Sequence, residues 1–556
     1  GLFEVLGEDG SGSGEIKRLK TIGPGGSFGE LALLYHTPRS ATVVCKERAL
    51  LWLINRALFK RILMQVSAEQ LQRYQDYLDK VPMLNSLLRA DKEELAQGLL
   101  EMTFTEGENV LEEGEPGTSF YIMYDGTVQI TKGGLELRRV TAEEGRSTQW
   151  FGEKALLEAE KRTATVRVIS EVAKVLCIDR ETFETILGPL KDLIAAKGHR
   201  TSQSQQRRGS CSEPVAHVHS EHAHHEPIKL KDLQKVADMG FGQYSKVELW
   251  EHKDKAKGKT YALKRVSRRH IVQEGRQEYI LAEKEVLMSM ESPFIVTLFE
   301  TYASRKSLSF LMECLLGGDL QTVYSNKGFY GSQRHARYYT AGAVLALNTL
   351  HEHRAIYRDL KPENMMLSDK GHMKLTDFGL AKFVVGKTYT TCGTPDYFAP
   401  EMVHAGEGHN QAVDWWALGI LIFEFMTGYT PFADMSPIQI YSKVTKGIDV
   451  VKFPAECSGP CARLVCALLR PNPSERLPMR KGGVKKLKEH EWYGDINWEE
   501  MEDLTTRPPY KPVVKDNKDL HHFSGGAAGL PQQVLDQFVN VRDGDDGDWD
   551  KGFATQ

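Results

Sequence analysis

Asp359, Lys361 and Asn364 stand in the run Tyr357-Arg358-Asp359-Leu360-Lys361-Pro362-Glu363-Asn364, and Asp377-Phe378-Gly379 follows shortly after it. These residue types in this order meet the needs of phosphoryl transfer. That chemistry requires a carboxylate near the attacking hydroxyl, a cation over the moving phosphate and oxygens for magnesium. Asp359 can accept or orient a hydroxyl proton, and Lys361 can sit beside the transferred phosphate. Asn364 and Asp377 offer oxygens to two sides of a metal–nucleotide complex. A solvated charged loop can hold Asp, Lys and Asn by chance, but not in this order ahead of Asp-Phe-Gly.

Such groups need elements to position them. Gly240-Phe241-Gly242-Gln243-Tyr244-Ser245-Lys246-Val247 reads as a strand-turn-strand over phosphates, with Ser245 where a third glycine often stands. Two glycines alone also make ordinary hairpins. Tyr261-Ala262-Leu263-Lys264 is an apolar strand ending in one lysine, and a helical pattern carrying Glu283 follows. A pair between the two would fix the lysine against the phosphates. Thr388-Tyr389-Thr390-Thr391-Cys392-Gly393-Thr394-Pro395 leads into Ala399-Pro400-Glu401. The apolar stretch from Asp414 to Phe432 is interrupted by Asp414 and Glu424 and closed by Gly428 through Pro431, so it reads as a buried core helix, not a membrane span.

Taken together, residues from about Leu233 to Tyr493 resemble a eukaryotic serine/threonine protein kinase of the cyclic-nucleotide-dependent (AGC) group. The resemblance implies a small β-rich lobe over a larger helical lobe, with ATP and Mg2+ between them. It implies a catalytic set of Asp359, Lys361, Asn364, Asp377, Lys264, Glu283 and Thr394, with Asn364 and Asp377 as metal ligands. Gly240, Gly242, Val247, Ala262, Lys264, Met312 as gatekeeper, Glu313 and Met366 would line the nucleotide site. Leu287, Leu298, Tyr357 and Phe378 would form an apolar stack linking the lobes, and Arg476 would pair with Glu401. Thr390 is the expected activation-loop phosphosite, with Arg358 and Lys382 as cations for its phosphate. Tyr279 stands where the family often has a histidine that reaches this phosphate. Asp319, Glu363 and Glu424 match positions that hold arginines ahead of a target serine, which implies protein substrates with basic-directed sites. Arg507-Pro508-Pro509-Tyr510-Lys511-Pro512 resembles the tail that wraps the small lobe, with Phe523 near the nucleotide pocket. Asp548-Trp549-Asp550-Lys551-Gly552-Phe553 is similar to the ending of cyclic-GMP-dependent kinases.

The N-terminal third repeats a cassette. Phe28-Gly29-Glu30-Leu31-Ala32-Leu33 with Arg39-Ser40-Ala41-Thr42-Val43 returns as Phe151-Gly152-Glu153-Lys154-Ala155-Leu156 with Arg162-Thr163-Ala164-Thr165-Val166, and the Glu-to-Arg spacing is the same. A short helix starting near Gly29 or Gly152 would offer backbone N–H groups to an anion. Arg39 or Arg162 could pair with the same phosphate, while Glu30 or Glu153 accepts a sugar hydroxyl. The cassettes resemble those of cyclic-nucleotide-binding domains. The residue after the arginine is commonly alanine in cyclic-AMP sites and threonine in cyclic-GMP kinases; here it is Ser40 and Thr163. A hydroxyl can accept from the guanine 2-amino group that adenine lacks. Such a bond contributes about 0.5–1.5 kcal/mol, which favours cyclic GMP as the allosteric ligand.

The chain has 556 residues, room for several domains. The expected organisation is a multidomain α+β chain: jelly-roll-like nucleotide-binding barrels with flanking helices, then the bilobal kinase and its tail. A partial barrel is expected over 1–65, a connecting helix over 66–83, a complete barrel over 84–198, a linker over 199–227, the kinase over 233–493 and the tail over 494–556. The first copy leaves no room ahead of its cassette for the strands of the second, and the chain starts at Gly1, so a fragment of a longer protein is expected. The linker carries His217, His219, His222, His224 and His225, read as a solvated segment, and Arg207-Arg208-Gly209-Ser210, a basic-directed sequence or a basic turn. A net charge of -4 argues for no nucleic-acid partner. Eight cysteines without regular spacing suit a reducing cytoplasm. No transmembrane segment is expected, with membrane association left to segments outside this sequence. The competing readings are a cyclic-AMP-dependent kinase on one chain and a nucleotide-sensing scaffold with an inactive kinase fold. Intact Lys264, Asp359, Asn364 and Asp377 argue against the scaffold.

Overall fold

The computed structural model describes residues 1–8, 16–24, 42–51, 71–84, 87, 89–153, 161–180, 182–183, 227–242, 245–254, 258–384, 386–390, 392–403, 408–434, 437–523 and 548–555. The first cassette (Gly29, Glu30, Arg39, Ser40), the linker histidines and Arg207 to Ser210 lie outside the described residues.

At the N-terminus, β1 (Phe3–Glu8) pairs antiparallel with both β2 (Ile16–Ile22) and β3 (Thr42–Cys45). Among the described residues two strands, β1 and β2, precede the first cassette, against five ahead of the second. That second copy is built from β4 (Leu100–Thr105), β5 (Asn109–Leu111), β6 (Ser119–Lys132), β7 (Leu135–Ala142), β8 (Gln149–Phe151), β9 (Thr165–Val168) and β10 (Val172–Asp179). The order is β4-β10-β6-β9-β5, with β7 and β8 also on β6.

Successive strand residues point to opposite faces, and β6 uses both. Phe120, Ile122 and Tyr124 pack with a helix over residues 71–79 and the helix Arg89–Gly98, while Met123 joins the barrel interior. Beyond Asp125 the phase inverts, because Val128 and Ile130 also face the interior. The register with β10 shifts between Lys174 and Val175, opposite Asp125 and Met123. One inserted residue exchanges the faces of all that follow.

The kinase-like part opens on β11 (Leu233–Phe241), β12 (Ser245–His252), β13 (Thr260–Ser267), β14 (Leu298–Ala303) and β15 (Ser307–Glu313), ordered β11-β12-β13-β15-β14. The helix Gln277–Ser289 packs on this sheet. Below it, the helices Gln333–Glu352 and Ala412–Thr427 form the centre of a large core, with Trp415, Trp416, Ile420, Leu421 and Phe423 fully enclosed. Glu401 and Arg476 lie inside this lobe as a bidentate pair, both bonds 2.6 Å. Two antiparallel strand pairs frame the Asp359 run: β16 (Ala355–Ile356) with β19 (Lys382–Phe383), and the hairpin of β17 (Met365–Leu367) with β18 (Met373–Leu375).

The C-terminal segment returns to the small lobe. Tyr510 meets Phe329 edge-on at 5.4 Å. Phe553 is fully buried and meets Phe310 edge-on at 5.3 Å, while Asp550 pairs with Arg268 at 2.9 Å. An acidic, aromatic ending is thereby absorbed into the core, with Trp549 packed against it and the Phe553 carbonyl accepting Thr301 Oγ1. Among the described residues no helix is long and apolar enough to cross a membrane.

Candidate active site and nucleotide-sensing site

The Asp359 run is held from below. Asp414, at the start of the helix Ala412–Thr427, is wholly buried. Its carboxylate accepts the amides of Tyr357 at 2.9 Å and Arg358 at 2.7 Å and meets His351 Nε2 at 2.8 Å. Arg358 takes φ of 67° and Asp377 φ of 52°, left-handed conformations that side chains rarely adopt. Each costs about 1–3 kcal/mol and persists where its surroundings over-determine it. The sequence reading treated Asp414 only as an interruption of an apolar run and missed this role; an acid opening so apolar a helix was the available signal.

Asp359 is buried and its carboxylate is triply held. Lys361 Nζ and Asn364 Nδ2 donate to Oδ2 at 2.9 and 2.8 Å, and Thr394 Oγ1 donates to Oδ1 at 3.1 Å. Lys361 Nζ also reaches Thr394 Oγ1 at 3.0 Å. A carboxylate fixed in this way can orient a hydroxyl with little reorganisation.

Facing it, Lys264 on β13 bonds Glu283 Oε1 at 2.6 Å and Asp377 Oδ1 at 2.9 Å. Burial works against the Lys264 charge, but Asp377 and Glu283 outweigh it and hold its pKa above the usual lysine range. Lys264 in turn holds the Asp377 carboxyl below its ordinary value. The triad joins sheet, helix and the Asp377 loop. Phe378 is buried behind it, edge-on to Tyr357 at 5.2 Å, in the same core as Leu287 and Leu298. The Asn364 amide nitrogen is spent on Asp359, which leaves its oxygen, with the exposed Asp377 carboxylate, for a cation. Two protein oxygens suit magnesium, which keeps waters and takes phosphate oxygens.

Ala262 and Met312 are register partners on β13 and β15. Val247, Met239, Leu249 and Phe523 pack into one cluster with Ala262, which brings the C-terminal segment's ring to this wall. Met366 and Met312 approach from the other core. Gly240 ends near the β11–β12 turn, where the Gly242 amide donates to Ser245 O at 2.8 Å. The Glu313 carboxylate is engaged elsewhere, by Lys374 Nζ at 2.6 Å and the Thr297 amide at 2.8 Å. Any contact from Glu313 to a base therefore falls to its backbone.

Thr390 is half-buried beside the Tyr279 hydroxyl, and Arg358 lies within the same electrostatic surroundings. Arg358 Nε donates to Leu380 O at 2.8 Å, whereas its buried NH1 has no hydrogen-bond partner among the described residues. Nearby His409 is driven down to about 3 by burial, then by Arg358, Lys382 and Lys387. This is a cationic setting for an added phosphate.

The three expected peptide acids differ. Asp319 caps the helix Leu320–Lys327, accepting the Thr322 amide at 2.8 Å. Glu363 is exposed. Glu424 accepts the Tyr397 hydroxyl; burial, and then Glu363 and Asp396, raise it to about 7. Asp396 thus belongs to this acidic patch, and the sequence reading did not select it.

In the complete barrel, Gly152 has φ of 80°, and a Cβ there would lie 2.5 Å from Arg162 NH1. Only glycine lets the arginine approach so closely. Arg162 NH2 donates to Ser119 O at 2.7 Å, and burial lowers the pKa of its guanidinium. Glu153 and Thr163 are exposed on either side of it.

This geometry defines a protein kinase fold coupled to a cyclic-nucleotide-binding barrel. The protein kinase domain family matches residues 233–493, and the cyclic nucleotide-binding domain family matches residues 1–66 and 101–188. Relatives extend along nearly all of the chain. A cGMP-dependent protein kinase of Caenorhabditis elegans is 35% identical over 94% of this chain and 67% of its own length. cGMP-dependent protein kinase 2 of Homo sapiens is 31% identical over 97% of this chain and 71% of its own length. Isozyme 1 of the Drosophila melanogaster enzyme is 34% identical over 91% of this chain. The chain belongs to the cGMP-dependent protein kinase family. It spans 66% of Drosophila isozyme 1 and 55% and 46% of two isozyme 2 proteins.

Proposed function

We propose that this chain transfers the γ-phosphate of ATP to serine or threonine hydroxyls of protein substrates, and that cyclic GMP bound in its N-terminal barrels releases that activity. The observation that carries the reading is the Asp359 carboxylate fixed by Lys361, Asn364 and Thr394, with the Lys264–Glu283–Asp377 triad facing it. Asp359 orients the attacking hydroxyl and accepts its proton. Lys361 donates to the transferring phosphate, and Lys264, steadied by Glu283, holds the other phosphates. Magnesium, held by Asn364 and Asp377, would supply charge neutralisation over the phosphates. Val247, Ala262, Met312 and Met366, with Phe523, suit the adenine ring. Phosphate on Thr390 would take the NH1 of Arg358, which no described residue bonds, and order the segment.

Glu363 and Glu424, joined by Asp396, favour substrates with arginines ahead of the target residue, and Asp319 adds a further acid to that preference. The free cysteines among the described residues suit a reducing cytoplasm. At the sensing site, Arg162 holds the cyclic phosphate, Glu153 a sugar hydroxyl, and Thr163 accepts the guanine 2-amino group. The test is a peptide kinase assay titrated separately with cyclic GMP and cyclic AMP. Stimulation at lower concentration by cyclic GMP is expected. Stronger stimulation by cyclic AMP would move the chain to the other nucleotide class, and no phosphate transfer under either would reject the reading.

A further inference from the structure

The stretch 290–297, between the helix Gln277–Ser289 and β14, is hydrogen-bonded to both lobes. On one edge it meets β18 of the large lobe. The Leu375 amide donates to Phe294 O at 2.8 Å, and the Val296 amide donates to Leu375 O at 3.0 Å. On the other edge it meets the end of β15 in the small lobe. The Glu313 amide donates to Thr297 O at 3.0 Å, and the Thr297 amide donates back to Glu313 Oε1 at 2.8 Å. Phe294, Ile295 and Val296 are buried, so this strap cannot shift without moving the groups packed on it.

One side chain closes the arrangement. Lys374 on β18 sends Nζ to Glu313 Oε1 at 2.6 Å and to Ile295 O at 3.4 Å. The Lys374 and Glu313 side chains are 14% and 23% exposed, which shields them from the screening that weakens surface pairs. The two ends of the pair lie beside different parts of the nucleotide site. Glu313 follows Met312, whose register partners are Ala262 on β13 and Leu298 on β14. Lys374 stands opposite Met366 across the β17–β18 hairpin. The chain then runs through Thr376, whose amide donates to Asn364 O at 2.9 Å, into Asp377. The strap therefore spans from the wall suited to the base to the oxygens suited to the metal.

We propose that Lys374 and Glu313 are positioning residues for the nucleotide: their ion pair clamps the strap between the lobes and sets the distance from the base wall to Asn364 and Asp377. Both charged groups are engaged by each other and by the backbone, so they act through Met312, Met366 and Asp377. The inference rests on the reading above that ATP binds in this cleft. A ligand that touches only the base wall is indifferent to the clamp, whereas one that spans both parts depends on it.

The experiment uses the full chain with Lys374→Met, Lys374→Arg and Glu313→Gln. Calorimetry measures the binding of adenosine and of a non-hydrolysable ATP analogue with magnesium, and amide exchange follows residues 293–298 and 373–378. Lys374→Met should weaken the analogue by roughly three- to tenfold, the size of one net hydrogen bond, and leave adenosine within about twofold. Exchange should quicken in both segments. Glu313→Gln keeps an acceptor for the Thr297 amide but loses the charge, and should show a smaller loss of the same kind. Lys374→Arg keeps the charge and should stay near the parent. If Lys374→Met does not fold, Glu313→Gln decides the matter, with the same selective loss expected. Equal losses for both ligands, or no loss for either, would overturn the clamp and leave the nucleotide reading intact. A parent that binds neither adenosine nor the analogue would overturn both.

Discussion

The catalytic cleft and the nucleotide cassette treat their functional groups in opposite ways. In the cleft, Asp359 carries three side-chain bonds, and Lys264 is shared between two carboxylates. In the cassette, Glu153 and Thr163 are exposed, and Arg162 leans on a backbone carbonyl. The cleft's side chains hold one another in place, so little reorganisation is left for the chemical step. The cassette holds its arginine on the Ser119 carbonyl, a bond that a phosphate bound as proposed would replace. A group that must exchange one partner for another is suited to reporting occupancy, and a group already fixed is suited to catalysis.

The comparison is broken most sharply at Asp359. Asp359→Asn should lower peptide phosphorylation by about 10²–10⁴-fold while leaving ATP binding nearly intact, since Asp359 serves the hydroxyl. Steady-state assays beside ATP-binding titrations read both quantities. Turnover within a few-fold of the parent would mean that the fixed carboxylate is structural.

Asp414 tests whether organisation of the cleft depends on its buried support. Asp414→Ala leaves two amides and His351 without their acceptor. Removing one member of such a buried charged network costs about 3–5 kcal/mol. Thermal unfolding should show a large fall in Tm, and any folded fraction should show reduced kcat. A stable variant with parental kcat would locate the support elsewhere.

How much of this could be read from the sequence follows the same division. The run from Tyr357 to Asn364 is contiguous, and its chemistry is written in neighbouring residues, as is the repeated Gly-Glu…Arg cassette. Asp414 and Asp396 escaped because their roles arise when distant segments meet; the acid at the head of an apolar helix marks Asp414 as unusual, but spacing and periodicity do not name its partners. The Arg480–Glu108 and Lys481–Glu112 pairs link two folded units across several hundred residues. Exposed charges on each unit read locally as solvated surface. The face inversion in β6 was hidden for another reason: a bulge changes the period without changing the residue types.

The sensing side of the comparison is sharpened by Thr163. Thr163→Ala should weaken cyclic GMP binding by roughly three- to tenfold, the worth of one hydrogen bond, and scarcely affect cyclic AMP. Arg162→Ala should weaken both, because both carry the phosphate. Calorimetry with the two nucleotides separates these cases. Equal loss for both on Thr163→Ala would make the hydroxyl structural and remove the basis for selectivity.

The smallest expected effect lies at the edge of the cleft, where Glu424 resembles the cassette more than the catalytic set. Burial, with Glu363 and Asp396 beside it, holds its carboxyl near a pKa of about 7. Its ordinary value is 4.5, so at neutral pH it is only partly ionised, unlike an ordinary surface glutamate. A substrate arginine bound as proposed would favour the ionised form and stabilise it. As pH falls through about 7 the carboxyl takes up a proton, and the peptide then binds more weakly, held by Glu363 and Asp396 alone. KM for an arginine-containing peptide should therefore rise by roughly two- to fivefold between about pH 8 and pH 6. Glu424→Gln should show a higher KM with little dependence on pH over this range, whatever kcat does as other groups titrate. A parent KM that is flat over this range would show that Glu424 does not meet the substrate cation, leaving the preference to Glu363 and Asp396.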